Sequence, residues 1–452
     1  MRGRRFTSGL SIGLAIGGAI ALHSEHASAH EPWTYGYGSR ATAMGGALVA
    51  DTDDFSANYY NPAGIVDDTG IRVGLGYFYA ENNLRVNDLS SGVKASHGVF
   101  FGIAASGNFF GLPIGLGIAT HVPDEGLSRL TALRQDVPRW ELYDNRSSVL
   151  YLAANLAIRP VDFLELGGGI SFLASTRGRF EISGVADLLF PYNSQLRHEV
   201  DVDLTSVRYP QAGVLVHLSP AASMGVTYRG QTAIDLRLNG KLDTTIEAAG
   251  FEVPLTYELQ ARTIQAFLPQ QVVLGTSLRP YPPLHINIDF TWVNWGAYEN
   301  PTARTIATLE AEIPPQFPIE LPGELRQTQL EPIDFSDRIV PRIGVEWYPP
   351  GLDGRTGQNV IKVPIRAGYV FEKSPIPPQT GKTNFVDADR HTISFGVGIE
   401  VPVIHLSFDV HGALSILPER ITLKTSPADL TGDYRAAGEM ANIGATLTGD
   451  FR

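Results

Sequence analysis

Residues 390–401, RHTISFGVGIEV, alternate side chains in a period of two. His391, Ile393, Phe395, Val397, Ile399 and Val401 fall on one face, and Thr392, Ser394, Gly396, Gly398 and Glu400 on the other, as in a strand whose two faces meet different surroundings. The next segment, IHLSFDVHGAL at 404–414, repeats the pattern, with Ile404, Leu406, Phe408 and Val410 opposite His405, Ser407, Asp409 and His411. Pro402 and Val403 separate the two, which predicts a tight hairpin. The same reading along the chain predicts about fourteen strands. They fall near 71–80, 97–107, 113–121, 147–158, 162–174, 198–217, 222–238, 255–279, 284–298, 337–349, 362–373, 390–401, 404–414 and 438–451, the eighth interrupted by Pro269.

A soluble β-sandwich also alternates, so connection lengths must discriminate. Odd-numbered gaps are long (122–146, 175–197, 299–336) and even-numbered gaps are brief, as in RPV at 159–161 and RPYPP at 279–283. Short turns on one rim and long loops on the other predict an all-β, antiparallel transmembrane barrel, its short rim and both chain ends periplasmic. Strands of about 9–11 residues suffice to cross a bilayer in this way.

The N-terminus changes the picture only in destination. Arg2, Arg4 and Arg5 precede an apolar run at 9–22, and Ala27-Ser28-Ala29 offers a small-x-small cleavage site. Residues 1–29 therefore read as a secretory leader, removed after export; the run is short for a membrane anchor. With Lys+Arg 35 against Asp+Glu 47 the net charge is −12, which argues against nucleic acid as a partner because phosphate binding needs a basic stripe. There is no cysteine, hence no disulfide framework and no lipidated thiol.

Between leader and first strand lies an irregular stretch, DTDDFSANYYNPAG at 51–64. With GSRATAMGGALVA before it (38–50), this segment resembles the N-terminal hatch of the FadL family of outer-membrane transporters, Asn61-Pro62-Ala63 matching that family's Asn-Pro-Ala motif. MGVTYRG (224–230), INIDFTWVNWGAY (286–298), RAGYVFEKSPIPP (366–378) and DADRHTISFGVG (387–398) extend the resemblance over nearly the whole mature chain. It implies a fourteen-stranded barrel (71–452) plugged from the periplasmic side by a hatch at 30–70. It also implies passive uptake of long-chain fatty acids or other hydrophobic compounds, which leave sideways through a gap in the third strand, with no cofactor and no metal. The implied partners are a hydrophobic small molecule, outer-membrane lipids and the barrel-insertion machinery, around a monomer in the outer membrane of a Gram-negative bacterium.

Candidate site residues follow. Asn61, Pro62 and Ala63 form the hatch gate that the resemblance implies. Pro123 and Gly126 supply the interruption that a third-strand kink needs, or else the strand ends there and a loop begins. Leu127, Leu130 and Leu133 share a helical face and, with Trp140, form either a landing surface for greasy solutes or local loop packing. Trp292, Trp295 and Tyr298 read as an aromatic girdle. Arg177 and Arg179 resemble in position a basic residue used near the ligand head group, and Arg338 lies among the lumenal charges. Ser336 stands where the family has a second basic contact, which leaves neutral hydrocarbons open beside carboxylates.

Two other classes compete. A general porin would pass polar solutes, and a lipase-type barrel would use pairs such as His285 and Asp289, or His405, Asp409 and His411. No Gly-x-Ser-x-Gly elbow or His-Glu-x-x-His pair supports catalysis. The chain ends Asp450-Phe451-Arg452, with its aromatic residue penultimate, and the last strand is expected to pair with the first.

Overall fold

The first and last strands meet along their whole length, from Ile71 opposite Phe451 to Val86 opposite Ala436, and this ladder closes the sheet into a barrel. The structure is a computed structural model. It describes residues 31–67, 69–124, 128–129, 137–143, 148–187, 195–248, 251–302, 304–311, 324–326, 332–350, 354–356, 359–426 and 431–451, so the leader lies outside the described residues.

Fourteen antiparallel strands build the wall. They are β1 (Gly70–Val86), β2 (Ser96–Phe109), β3 (Leu112–Pro123), β4 (Tyr151–Val161), β5 (Leu164–Asp187), β6 (Gln195–Ser219) and β7 (Ala222–Arg229, resuming at Thr232–Ala248). The second half comprises β8 (Phe251–Leu268, resuming at Gln271–Tyr281), β9 (Leu284–Val293), β10 (Arg338–Trp347), β11 (Ile365–Glu372), β12 (Arg390–Val401), β13 (Leu406–Thr422) and β14 (Tyr434–Phe451). Pro269 does interrupt the eighth strand, because proline cannot donate to a ladder. Even-numbered connections are short except between β10 and β11, where Gly354–Thr356 pairs with Asn359–Ile361.

Surface chemistry decides between sandwich and membrane barrel. On β12, Phe395 is 62% exposed and Ser394 is 1% exposed, so the apolar row faces outward and the small polar row faces the lumen. Ile71, Leu75, Leu116, Ile118, Leu156, Ile170, Leu274, Phe290, Phe408 and Leu447 continue the apolar belt around the wall. Exposed rows of this size are stable only against lipid. Phe109, Phe110, Phe163, Tyr281, Trp347 and Phe451 ring the short-turn rim, and Tyr77, Tyr79, Tyr228 and Tyr369 mark the opposite edge of the belt.

Three expectations are corrected. Trp292 sits on the wall, but Trp295 and Tyr298 are buried in a cluster with Phe267, Phe335 and Phe385 inside the mouth, since β9 ends at Val293 and a 3-10 turn carries Trp295–Ala297 inward. Trp140 is fully buried, packed with Tyr143, Val386, Leu417 and Met440, so it packs the mouth and offers no landing surface. His405 is an exposed turn residue with φ 56°, which separates it from the lumenal Asp409 and His411.

Candidate functional site

The lumen is occupied by residues 31–66, folded as α1 (Glu31–Tyr35), α2 (Ser39–Ala43), α3 (Ala57–Tyr60) and a 3-10 turn (Pro62–Val66). The segment is mostly buried. Its polar backbone must be satisfied without water, and the wall supplies the partners. The Ser39 amide donates to Thr446 Oγ1 (2.8 Å), that of Val49 to Asp289 Oδ2 (3.1 Å), and Ser394 and Ser223 hydroxyls donate to the carbonyls of Ala43 (2.9 Å) and Ala50 (2.7 Å).

Asn61 is the knot. Its amide donates to the Val49 carbonyl (2.8 Å) and to the Val214 carbonyl of β6 (3.1 Å), while its side-chain oxygen accepts from the Ala63 amide (3.1 Å). Pro62 opens the 3-10 turn, and Ala63 packs with Ala50 and Leu215. Glycine lets the segment come this close: a Cβ on Gly213 would overlap Asn61 Oδ1, and one on Gly167 would overlap the Pro62–Ala63 backbone.

A buried charge network ties the opposite side. Arg40 pairs with Glu346 (3.1 Å), Asp51 (3.4 Å) and Asp53; Arg366 joins Glu346 (2.7 Å) to Asp409; Arg279 holds Asp51 (2.7 Å); His285 Nδ1 lies 3.2 Å from Glu346. Asp51, His285 and Glu346 have the spacing of a metal triad, but Arg40, Arg279 and Arg366 already neutralise the two carboxylates, so the set reads as an ion-pair network.

On the long-loop side of this segment lies a cavity of about 100 Å³. Its floor is Tyr35, Gly45, Gly46, Tyr59 and Tyr60, and Arg229, Gln271, Val273, Thr291, Arg342, Val370 and Met440 contribute to its wall. Arg229 donates to the Tyr59 carbonyl and lies 4.2 Å over the Tyr59 ring, and Arg342 donates to Thr291 Oγ1. Neither guanidinium has an ion-pair partner among the described residues. Arg229 thus keeps a charge that no carboxylate meets directly, while Arg342 stands opposite Asp289 in the β9–β10 ladder and is partly balanced by it.

The sequence-derived head-group candidates fare differently. Arg338 is buried, pairs with Glu372 (3.3 Å) and stacks over Trp295 at 5.5 Å, so its charge is committed. Arg177 and Arg179 lie on β5, in register with Asp203 and Asp201 of β6; their side chains lie outside the described residues. Arg229 was missed because its MGVTYRG segment reads as an ordinary lumen-facing strand end, and the cavity exists only once Tyr59 is folded beneath it. Gly126, Leu127, Leu130 and Leu133 lie outside the described residues. Pro123 is the last residue of β3 and stands opposite Gly98 of β2.

The mouth is closed by pairing of Arg139–Trp140 with Phe385–Val386. Burial pushes the neighbouring Asp387 carboxyl up to about 6. A raised carboxyl means that the folded mouth holds its proton more tightly than the unfolded chain, whose value is about 3.9. Stability is therefore lost as pH rises from about 4 to 6 and stays lost above that, by about 2–3 kcal/mol at most. Asp387→Asn is expected to abolish this dependence, read as hydrogen-exchange protection factors of residues 139–143, relative to the intrinsic rate at each pH, between pH 4 and 7.

No family model matches the chain. A curated relative is the alkane uptake protein A of Marinobacter nauticus, 21% identical over 416 residues, covering 85% of this chain and 82% of that protein. Among solved structures, a FadL homologue of Pseudomonas aeruginosa superposes with a TM-score of 0.58 at 13% identity, over 92% of this chain and 98% of that one. The Pseudomonas putida toluene transporter TodX gives 0.56 at 14% over 92% and 99%, and the CymD monoaromatic hydrocarbon channel 0.53 at 15% over 92% and 97%. The class of protein is thus an outer-membrane β-barrel. Its particular form is the FadL-type fold.

Proposed function

We propose that this barrel takes up hydrophobic small molecules passively across the outer membrane. The observation that carries the reading is a lipid-facing barrel whose lumen is filled by its own N-terminal segment, with a pocket left on the long-loop side. The relatives named for alkane, toluene and monoaromatic hydrocarbon transport support it. A polar-solute porin needs an open bore, which the buried segment disfavours. Against a lipase-type barrel, the lumenal acids and histidines are engaged with one another or with neighbours: Asp409 with Arg366, His285 with Glu346, and His411 Nε2 with Asn442 at 3.2 Å. Residues 31–66 act as the plug, Asn61-Pro62-Ala63 as the fastening that a gate must release.

The solute class follows from the pocket's mixed lining. Its volume suits one end of a molecule rather than a whole long chain. Arg229 and Arg342 favour an end that bears a carboxylate, while Val273, Val370 and Met440 accept the chain. Lateral exit into lipid avoids the loss of about 0.8 kcal/mol per CH₂ that release into water would cost. Replacing both Arg229 and Arg342 by Met is expected to lower uptake of a labelled long-chain carboxylate by roughly ten- to a hundredfold, as loss of a charge-assisted bond of about 1.5–3 kcal/mol requires, and to spare an alkane of equal length. Equal loss for both solutes would place the arginines in plug packing instead. Uptake no faster than in cells lacking the protein would overturn the transport reading itself.

A further inference from the structure

Three wall strands end together at the short-turn rim, and the period of two puts a polar side chain of each on the lumenal face. Arg159 follows buried Ala157 on β4, Glu165 precedes Gly167 on β5, and His217 follows buried Leu215 on β6. The ladders slip here, between Ile158 and Val161 and between His217 and Ser219, and such irregularities re-aim side chains. The fourth member is Asp67, which caps the 3-10 turn at the end of the lumenal segment. The Arg159 guanidinium donates to Asp67 Oδ1 (2.9 Å) and to Glu165 Oε1 (2.6 Å). His217 Nε2 lies 3.0 Å from Glu165 Oε1 and 3.9 Å from Asp67 Oδ1.

The charges do not balance. Two carboxylates face one guanidinium, so the set keeps one negative charge in excess when His217 is neutral. The Asp51–His285–Glu346 set differs, because Arg40, Arg279 and Arg366 all converge on its two carboxylates. Glu165 is moreover fully buried with its carboxylate turned into the cluster, and its second oxygen, Oε2, has no hydrogen-bond partner among the described residues. A buried carboxylate oxygen without a donor is costly, and a cation is the partner that removes the cost.

One atom each of Asp67, Glu165 and His217 lie within 4.8 Å of one another, so modest side-chain rotations bring all three to the ~2.0–2.2 Å that zinc requires. An ion can arrive from the periplasm. Asp67 and His217 line a cavity of about 420 Å³ at this rim, together with Asp51, Asp162 and Arg279, which leaves room for water at a remaining coordination position.

We propose that Asp67, Glu165 and His217 form a binding site for a divalent transition-metal ion of the zinc class at the periplasmic rim. One imidazole with two carboxylates suits zinc, whereas calcium and magnesium take oxygen ligands. His217 binds through Nε2 as neutral imidazole, and Glu165 offers Oε2 while Arg159 keeps Oε1. The ion staples the end of the lumenal segment to β5 and β6. These are the same two strands that Asn61-Pro62-Ala63 meets at Gly167, Gly213 and Val214, so metal and hatch motif fasten one joint from two levels.

Untagged, full-length protein in detergent micelles, stripped with EDTA and dialysed, is titrated with zinc chloride by calorimetry. One site per chain is expected, with calcium chloride binding far more weakly. His217→Ala and Glu165→Gln should each weaken zinc binding by roughly tenfold or more, since even groups that only support a ligand are worth about 10–100-fold. His285→Ala, in the neutralised set, should leave the affinity unchanged. No zinc binding by the unmodified protein overturns the site, as does full affinity in His217→Ala or loss on His285→Ala. A readout that needs no variant is amide hydrogen exchange of residues 63–67 in the unmodified protein. Exchange should slow when zinc is added; an unchanged rate overturns the staple. Neither measurement reads uptake, so failure here leaves the transport reading standing.

Discussion

Deletion of residues 30–65 is expected to convert the barrel into a leaky pore, with a large rise in single-channel ion conductance in planar bilayers. The wall closes through the ladder from Ile71–Phe451 to Val86–Ala436, and no rung of that ladder uses the N-terminal segment. What the segment contributes is volume. Met44, Leu48, Phe55, Ala57 and Ile65 are buried at the lumen centre or against the wall, and Tyr37 stacks with Tyr59 while packing on Phe100 and Tyr151. A fourteen-stranded barrel emptied of these residues keeps a polar inner face of Ser171, Thr227, Asn287, Ser394 and Thr446, which water and ions wet readily. Conductance unchanged by the deletion, in a barrel that still resists heat dissociation in detergent, would show that residues 30–65 do not seal it.

Glu346→Ala is expected to be the most destabilising single substitution in the lumen. The carboxylate is completely buried and receives Arg366 at 2.7 Å and Arg40 at 3.1 Å. Removing it leaves Arg40 with Asp51 and Asp53 and Arg366 with Asp409, so the two guanidinium groups face each other with one buried carboxylate fewer between them. Breaking a buried pair from one side costs about 3–5 kcal/mol when the remaining charge has no other partner, and the carboxylates that remain bring the expected loss to the lower end of that range or below it. Arg40 belongs to the N-terminal segment and Arg366 to the wall, so the loss has two readouts: a lower urea midpoint in detergent micelles and, if that segment acts as the proposed plug, a conductance rise as it loosens. Glu346→Gln, which keeps shape and hydrogen bonds while losing charge, should fall between. A midpoint equal to that of the unmodified protein would mean that the network contributes nothing to holding the plug.

Alternation along β12 and β13 was legible because a wall strand meets lipid on one side and a wet or packed lumen on the other, and a period of two follows from strand geometry alone. The same holds for the break at Pro269, where a missing donor has the same consequence in any sheet. Mouth residues were less legible. Trp140, Trp295 and Tyr298 look in sequence like interface aromatics, and their direction was decided by loops folding back into the barrel, through contacts between positions as distant as Arg139 and Phe385. The candidate pocket was hidden for the same reason, since Arg229 and Tyr59 become neighbours only across 170 residues of chain.

The sequence by itself determined the strand count, the lipid-facing rows and the presence of an irregular segment ahead of the wall, all consequences of local periodicity and turn chemistry. Tertiary structure alone decided which arginines line the lumen cavity, which glycines admit the N-terminal segment, and where the wall ladder stops. Those properties depend on the register of strands with respect to one another and on the fit of one segment inside a closed ring, and no local pattern encodes a distance between residues far apart along the chain.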